Sequence, residues 1–121
     1  VIDDSPDMLN LNRELLEMNN YEVFTAQGGR EGLEMISKIN SPDLVLLDMQ
    51  MDDLTGTEFL QLLEQQNSDF VKNVPIVFLT GMDSIPESKA SGFIQKAGDM
   101  NKFLEKIRYF ISQGRVCGEN K

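Results

Sequence analysis

The sequence predicts an α/β fold, a doubly wound parallel sheet of five strands with helices on both faces. Three observations lead there. Residues 44–47 and 75–79 are apolar at nearly every position rather than at alternate ones, the pattern of strands covered on both faces. Strand-like and helix-like patterns alternate five times along the chain, as crossover helices between parallel strands require. Four of the strand-like runs stop at hydrophilic residues, Asp3-Asp4, Asp48, Thr80 and Lys96. Open parallel sheets place their ligand sites outside the carboxyl ends of the strands.

The elements follow in order. Val1-Ile2 reads as the end of a first strand. Two residues are too few for a central strand of about five or six, so further residues are expected before Val1. Ser5 and Pro6 suit the N-cap and first position of a helix, and Asp7 suits the positive end of its dipole. Met8, Leu11, Leu15 and Met18, widened by Leu9 and Leu16, give that helix an apolar stripe, and Asn19-Asn20 end it. Residues 21–26, with Val23, Phe24 and Thr25, form a second strand. After the loop Gln27-Gly28-Gly29, a helix over 30–39 turns Leu33, Ile36 and Ile39 inward. Asn40-Ser41-Pro42 stops it, since each residue favours turn geometry.

The third strand ends at Asp48, and residues 49–54 are a loop. Thr55 and Glu58 form a T-x-x-E capping box opening a helix with Phe59, Leu60, Leu62 and Leu63. Residues 67–73 form a polar connector around Phe70-Val71, and the fourth strand ends at Thr80-Gly81. The next crossover, residues 81–91, has eleven residues, close to the minimum of about ten to twelve. Ser84, Pro86 and Glu87 allow at most a stub of about two turns, a truncated fourth helix. A short fifth strand over 92–95 ends at Lys96. Asp99 caps a last helix carrying Met100, Phe103, Leu104, Ile107, Phe110 and Ile111, and Gly114 ends it. The expected organisation is one domain over 1–114 and a polar tail over 115–121. Right-handed crossovers leave few topologies; the flavodoxin-like strand order 2-1-3-4-5 fits.

Composition narrows the function. The 121 residues are 40% hydrophobic and 26% charged, ordinary for one globular domain. With no histidine and one cysteine, Cys117, zinc sites and Ser-His or Cys-His catalysis are excluded. A lone cysteine forms no intramolecular disulfide and suits a reducing compartment, so a cytoplasmic location is expected. Twenty acidic against eleven basic residues give a net charge of −9, which disfavours direct binding to nucleic acid. No apolar run reaches membrane-spanning length.

The strand ends carry the chemistry. Singly, Asp3-Asp4 reads as capping, Thr80 as a β-branched strand residue and Lys96 as a surface charge. Together they fall on one edge of one sheet. Three carboxylates gathered there repel unless a cation joins them, and hard oxygen ligands select Mg²⁺, Mn²⁺ or Ca²⁺. Mg²⁺ usually keeps waters and phosphate oxygens among its ligands. A hydroxyl and an ammonium across the site suit the remaining oxygens of a phosphoryl group, with Asp48 as the nucleophile.

In Val1-Ile2-Asp3-Asp4-Ser5, Asp43-Leu44-Val45-Leu46-Leu47-Asp48-Met49-Gln50-Met51, Gly56, Val77-Phe78-Leu79-Thr80-Gly81 and Phe93-Ile94-Gln95-Lys96, the chain resembles the receiver domain of bacterial two-component response regulators over nearly its whole length. The resemblance implies that Asp48 accepts a phosphoryl group from a phosphohistidine. Asp3, Asp4, Asp48 and the backbone carbonyl of Gln50 would bind Mg²⁺, Thr80 and Lys96 would hold the phosphoryl oxygens, and Phe93 would be the aromatic switch. The implied partners are a sensor histidine kinase or phosphotransfer protein and a downstream effector protein or domain, with a homodimer open. Self-phosphorylation and self-dephosphorylation are then its only catalysis.

Three departures stand out: Ala97 replaces the usual Pro after the lysine, Asp52 replaces a usual Pro, and Thr55 a usual Asp. Competing readings are an unphosphorylated adaptor, a phosphatase or mutase with an aspartyl nucleophile, and a flavin protein. Against the second, Gln50 stands where such enzymes place a proton-transferring Asp. Against the third, acidic strand ends repel a flavin phosphate.

Overall fold

The computed structural model of the chain describes residues 1–39, 42–80, 90–95 and 100–119. Its elements are α1 (Pro6–Met18), α2 (Gly29–Lys38), β1 (Val45–Asp48), α3 (Gly56–Gln66), α4 (Ser68–Asn73), β2 (Ile76–Thr80), β3 (Gly92–Gln95) and α5 (Met100–Glu119). The two runs that are apolar at every position become β1 and β2, buried along their whole length. They pair in parallel in the order β1-β2-β3, with Val45 opposite Ile76 and Val77 opposite Gly92.

The sheet continues beyond β1 through single parallel bridges from Ile2 to Leu47 and to Ala26. The order Ala26, Ile2, β1, β2, β3 is therefore the flavodoxin-like order expected. The first two of the five expected strands, however, are bridges rather than strands. The physical reason is length. The stretch that pairs with residues 21–26 is Val1 to Asp3, through Asp3 N–H to Ala26 O at 3.2 Å, Ala26 N–H to Val1 O at 3.0 Å and the Val1 ammonium to Phe24 O at 2.9 Å.

Successive strand residues point to opposite faces, and the core divides accordingly. On one face Val45, Leu47, Ile76 and Phe78 pack with Ile36, Phe59, Leu63 and Phe70 from α2, α3 and α4. On the other, Leu46, Val77, Leu79 and Ile94 pack with Leu16 and Ile107 from α1 and α5. Helices on both faces of a parallel sheet are the doubly wound arrangement.

Four local expectations need correction. Ser5 caps α1 as expected, its hydroxyl accepting from Met8 N–H at 3.4 Å, but the buried face is Leu9, Asn12 and Leu16, while Leu11 and Met18 are exposed. A polar residue in the middle of the buried face hid that meridian. The expected connector over 67–73 holds α4: Asn67 accepts from Phe70 N–H at 3.1 Å and Phe70 is buried. Helix α2 begins one residue early, at Gly29, after Gly28 at φ 110°, a left-handed conformation glycine adopts without strain. Finally, α5 passes through Gly114 to Glu119, because glycine within a helix costs only about 1 kcal/mol and does not stop it. The expected truncated fourth helix, over 81–91, lies outside the described residues apart from Ala90 and Ser91.

Candidate functional site

The carboxyl edge of the sheet collects the acids. Asp48 is the last residue of β1, 3% exposed, and its Oδ1 accepts from Gln50 N–H at 3.3 Å. Asp3 follows the bridge residue Ile2, is 1% exposed, and accepts from Ser5 N–H at 3.0 Å through Oδ1. Half-buried Asp4 accepts from Asp52 N–H at 3.0 Å through Oδ2. One carboxylate oxygen from each of Asp3, Asp4 and Asp48 lies within 4.8 Å of the others. Three such anions at this spacing repel one another, and a hard divalent cation is the ligand that offsets this. The donor set is all oxygen and the residues fit such an ion.

Thr80 ends β2, the strand beside β1, and is buried at 4% exposure. It stands one step beyond Leu79, which pairs with Asp48, and its own partner across the next strand is Gln95. Asp48 and Thr80 thus finish adjacent parallel strands at one edge. Phe93 is half-buried on β3 opposite Phe78 and packs on the face shared with α3 and α4. Lys96 and Ala97 lie outside the described residues; β3 ends one residue before Lys96.

The loop joining β1 to α3 is braced. The predicted capping box forms, with Thr55 Oγ1 accepting from Glu58 N–H at 3.1 Å and Glu58 Oε1 accepting from Thr55 N–H at 3.0 Å. Gly56 N–H donates to Met49 O at 2.8 Å, and Gln50 bridges to Thr55. A Cβ on Gly56 would stand 3.0 Å from the carbonyl oxygen of Asp48 and 2.9 Å from the Phe78 ring. Only glycine lets α3 start this close to β1.

Asp53 is a residue that sequence reasoning missed. Its two oxygens accept from Gly29 N–H and Arg30 N–H, each at 3.0 Å, and so cap α2 from 24 and 23 residues away. These two bonds, that from Arg30 first, hold its carboxyl below the usual range. A depressed carboxyl contributes stability that is present above the unfolded-chain value and is lost as pH falls through the folded one. Asp53→Ala is expected to cost about 1 kcal/mol at neutral pH, a typical cap loss. The difference from wild type, followed by denaturant unfolding, should shrink in strong acid.

The chain is similar to known proteins over most of its length. The profile of the response regulator receiver domain matches residues 1–108. A relative is the CAI-1 autoinducer sensor kinase/phosphatase CqsS of Vibrio cholerae, 32% identical over 117 residues; the match covers 92% of this chain and 17% of that kinase, so the chain spans under a fifth of its length. Among solved structures, the chemotaxis protein CheY4 of Vibrio cholerae is 30% identical, with TM-score 0.78, covering 90% of this chain and 93% of that one. The response regulator protein TrrA of Thermotoga maritima, solved in complex with Mg(2+)-BeF, is 26% identical with TM-score 0.77, covering 90% of this chain and 94% of that one.

Proposed function

Because the chain belongs to the response regulator receiver domain family, we propose that Asp48 is its phosphoacceptor and that phosphorylation, dependent on Mg²⁺, switches the binding of a partner. The observation that carries this reading is the trio itself: Asp48 at the end of β1 with oxygens of Asp3 and Asp4 within 4.8 Å. A carboxylate oxygen of Asp48 attacks the phosphorus of a phosphohistidine on a sensor histidine kinase or phosphotransfer protein. The P–N bond breaks, the imidazole nitrogen keeps its electron pair, and the phosphoryl group ends as a mixed anhydride on Asp48. A carboxylate attacks through an oxygen lone pair and releases no proton, so the step needs no general base. The Thr80 hydroxyl and the Lys96 ammonium then hold phosphoryl oxygens. Asp3, Asp4, Asp48 and the Gln50 carbonyl would hold Mg²⁺, which when bound neutralises charge where two anions approach. Thr80 moving toward the phosphoryl group would open space that Phe93 fills, presenting β3 and α5 to an effector protein or domain.

Incubation with Mg²⁺ and a small phosphodonor, followed by intact mass measurement, is expected to show one added phosphoryl group. An unchanged mass under conditions that label other receivers would favour an unphosphorylated adaptor. Metal binding has its own readout. Mg²⁺ should raise the thermal midpoint of the wild type, because a ligand of the native state stabilises it. Asp4→Ala should lose most of that rise, and an equal rise in both proteins would remove Asp4 from the site.

A further inference from the structure

The bond from Asp52 N–H to Asp4 Oδ2, at 3.0 Å, joins residues 48 apart in sequence. Proline has no N–H, so a chain with the usual receiver proline at this position lacks the donor. A carboxylate offers about four lone-pair sites on its two oxygens. The Asp52 bond takes one, at Oδ2, and leaves the remainder for a cation. Asp52 itself is exposed, and its N–H sits on a braced frame: Gln50 bridges to Thr55, Gly56 N–H donates to Met49 O at 2.8 Å, and the neighbouring Asp53 is anchored on α2. A ligand held in place before the ion arrives gives up less freedom when it binds.

We propose that residue 52 is a positioning residue of the cation site, acting through its backbone N–H, which holds the Asp4 carboxylate ready for Mg²⁺. The contribution comes from the backbone N–H at 52 and not from its side chain. This rests on the reading of Asp3, Asp4 and Asp48 as cation ligands.

The test titrates Mg²⁺ into wild type, Asp52→Ala and Asp52→Pro while following backbone amide resonances. Asp52→Ala keeps the N–H and should stay within about twofold of wild type, the change left to an exposed charge. Asp52→Pro removes the N–H and should weaken Mg²⁺ roughly fivefold, the worth of one ordinary hydrogen bond. Amide exchange in the wild type decides the matter even if Asp52→Pro fails to fold. The Asp52 amide should be protected without metal, lose protection in Asp4→Ala, and stay protected at saturating Mg²⁺. Deprotection by Mg²⁺ would mean the bond competes with the ion and overturns the proposal. So would equal affinities for Asp52→Ala and Asp52→Pro. Wild type that binds Mg²⁺ while the variants match one another overturns this inference alone; wild type that binds none overturns the functional reading with it.

Discussion

Asp48→Asn should reduce phosphorylation by a small phosphodonor to background while leaving the fold intact. The amide is nearly the same shape as the carboxylate, and its carbonyl oxygen still accepts from Gln50 N–H, the bond that measures 3.3 Å in the wild type. Its neutral oxygen, however, is a poor nucleophile toward phosphorus. A cooperative thermal transition together with an unmodified intact mass would assign the loss to chemistry. Residual labelling of Asp48→Asn at the wild-type rate would mean that another acid is the acceptor.

The largest effect on stability is expected at Phe59, which is fully buried at the contact between α3 and α2. Its ring lies 3.0 Å from where a Cβ on Gly32 would stand, and it packs in the cluster with Leu47, Leu63 and Phe78. Phe59→Ala should cost about 3–5 kcal/mol, the lost transfer energy plus the cavity left behind. Domains of this size are stable by only about 5–15 kcal/mol, so the variant should unfold at a much lower denaturant concentration. The effect should reach the site, because α3 starts against Asp48 at Gly56. Leu62, half-buried on the same helix and in neither core cluster of the described residues, is the control: Leu62→Ala should cost clearly less. Equal losses would mean that α3 is not seated by Phe59.

The site was legible where a single local pattern determines it. Runs apolar at both parities mark β1 and β2, and their polar ends, Asp48 and Thr80, fall together because parallel neighbours in register must finish at one edge. The Thr55–Glu58 box was legible for the same reason, as both partners sit within one turn. What escaped depends on contacts distant in sequence or on balances that residue type does not reveal. Asp53 caps a helix 24 residues upstream, and nothing near Gly28 indicates it. Helix α4 has six residues and one buried side chain, Phe70, too short for a period to appear. Asn12 on the buried face of α1 breaks the apolar stripe that a sequence reading follows. At Gly114 a modest propensity cost looks, in sequence, the same as a helix stop. Lys96, the cation expected across from Asp48, lies outside the described residues.

The central claim is that the phosphoryl group resides on Asp48, and locating it tests that claim most directly. Wild-type protein labelled in Mg²⁺ would be reduced at once with borohydride, which cleaves an acyl phosphate and leaves the residue as its alcohol. Peptide sequencing by tandem mass spectrometry would then read the altered position. Homoserine at position 48, absent from unlabelled protein and from samples chelated before labelling, is the predicted result. Homoserine at position 3, 4, 52 or 53 with an intact Asp48, or none after confirmed labelling, would contradict it.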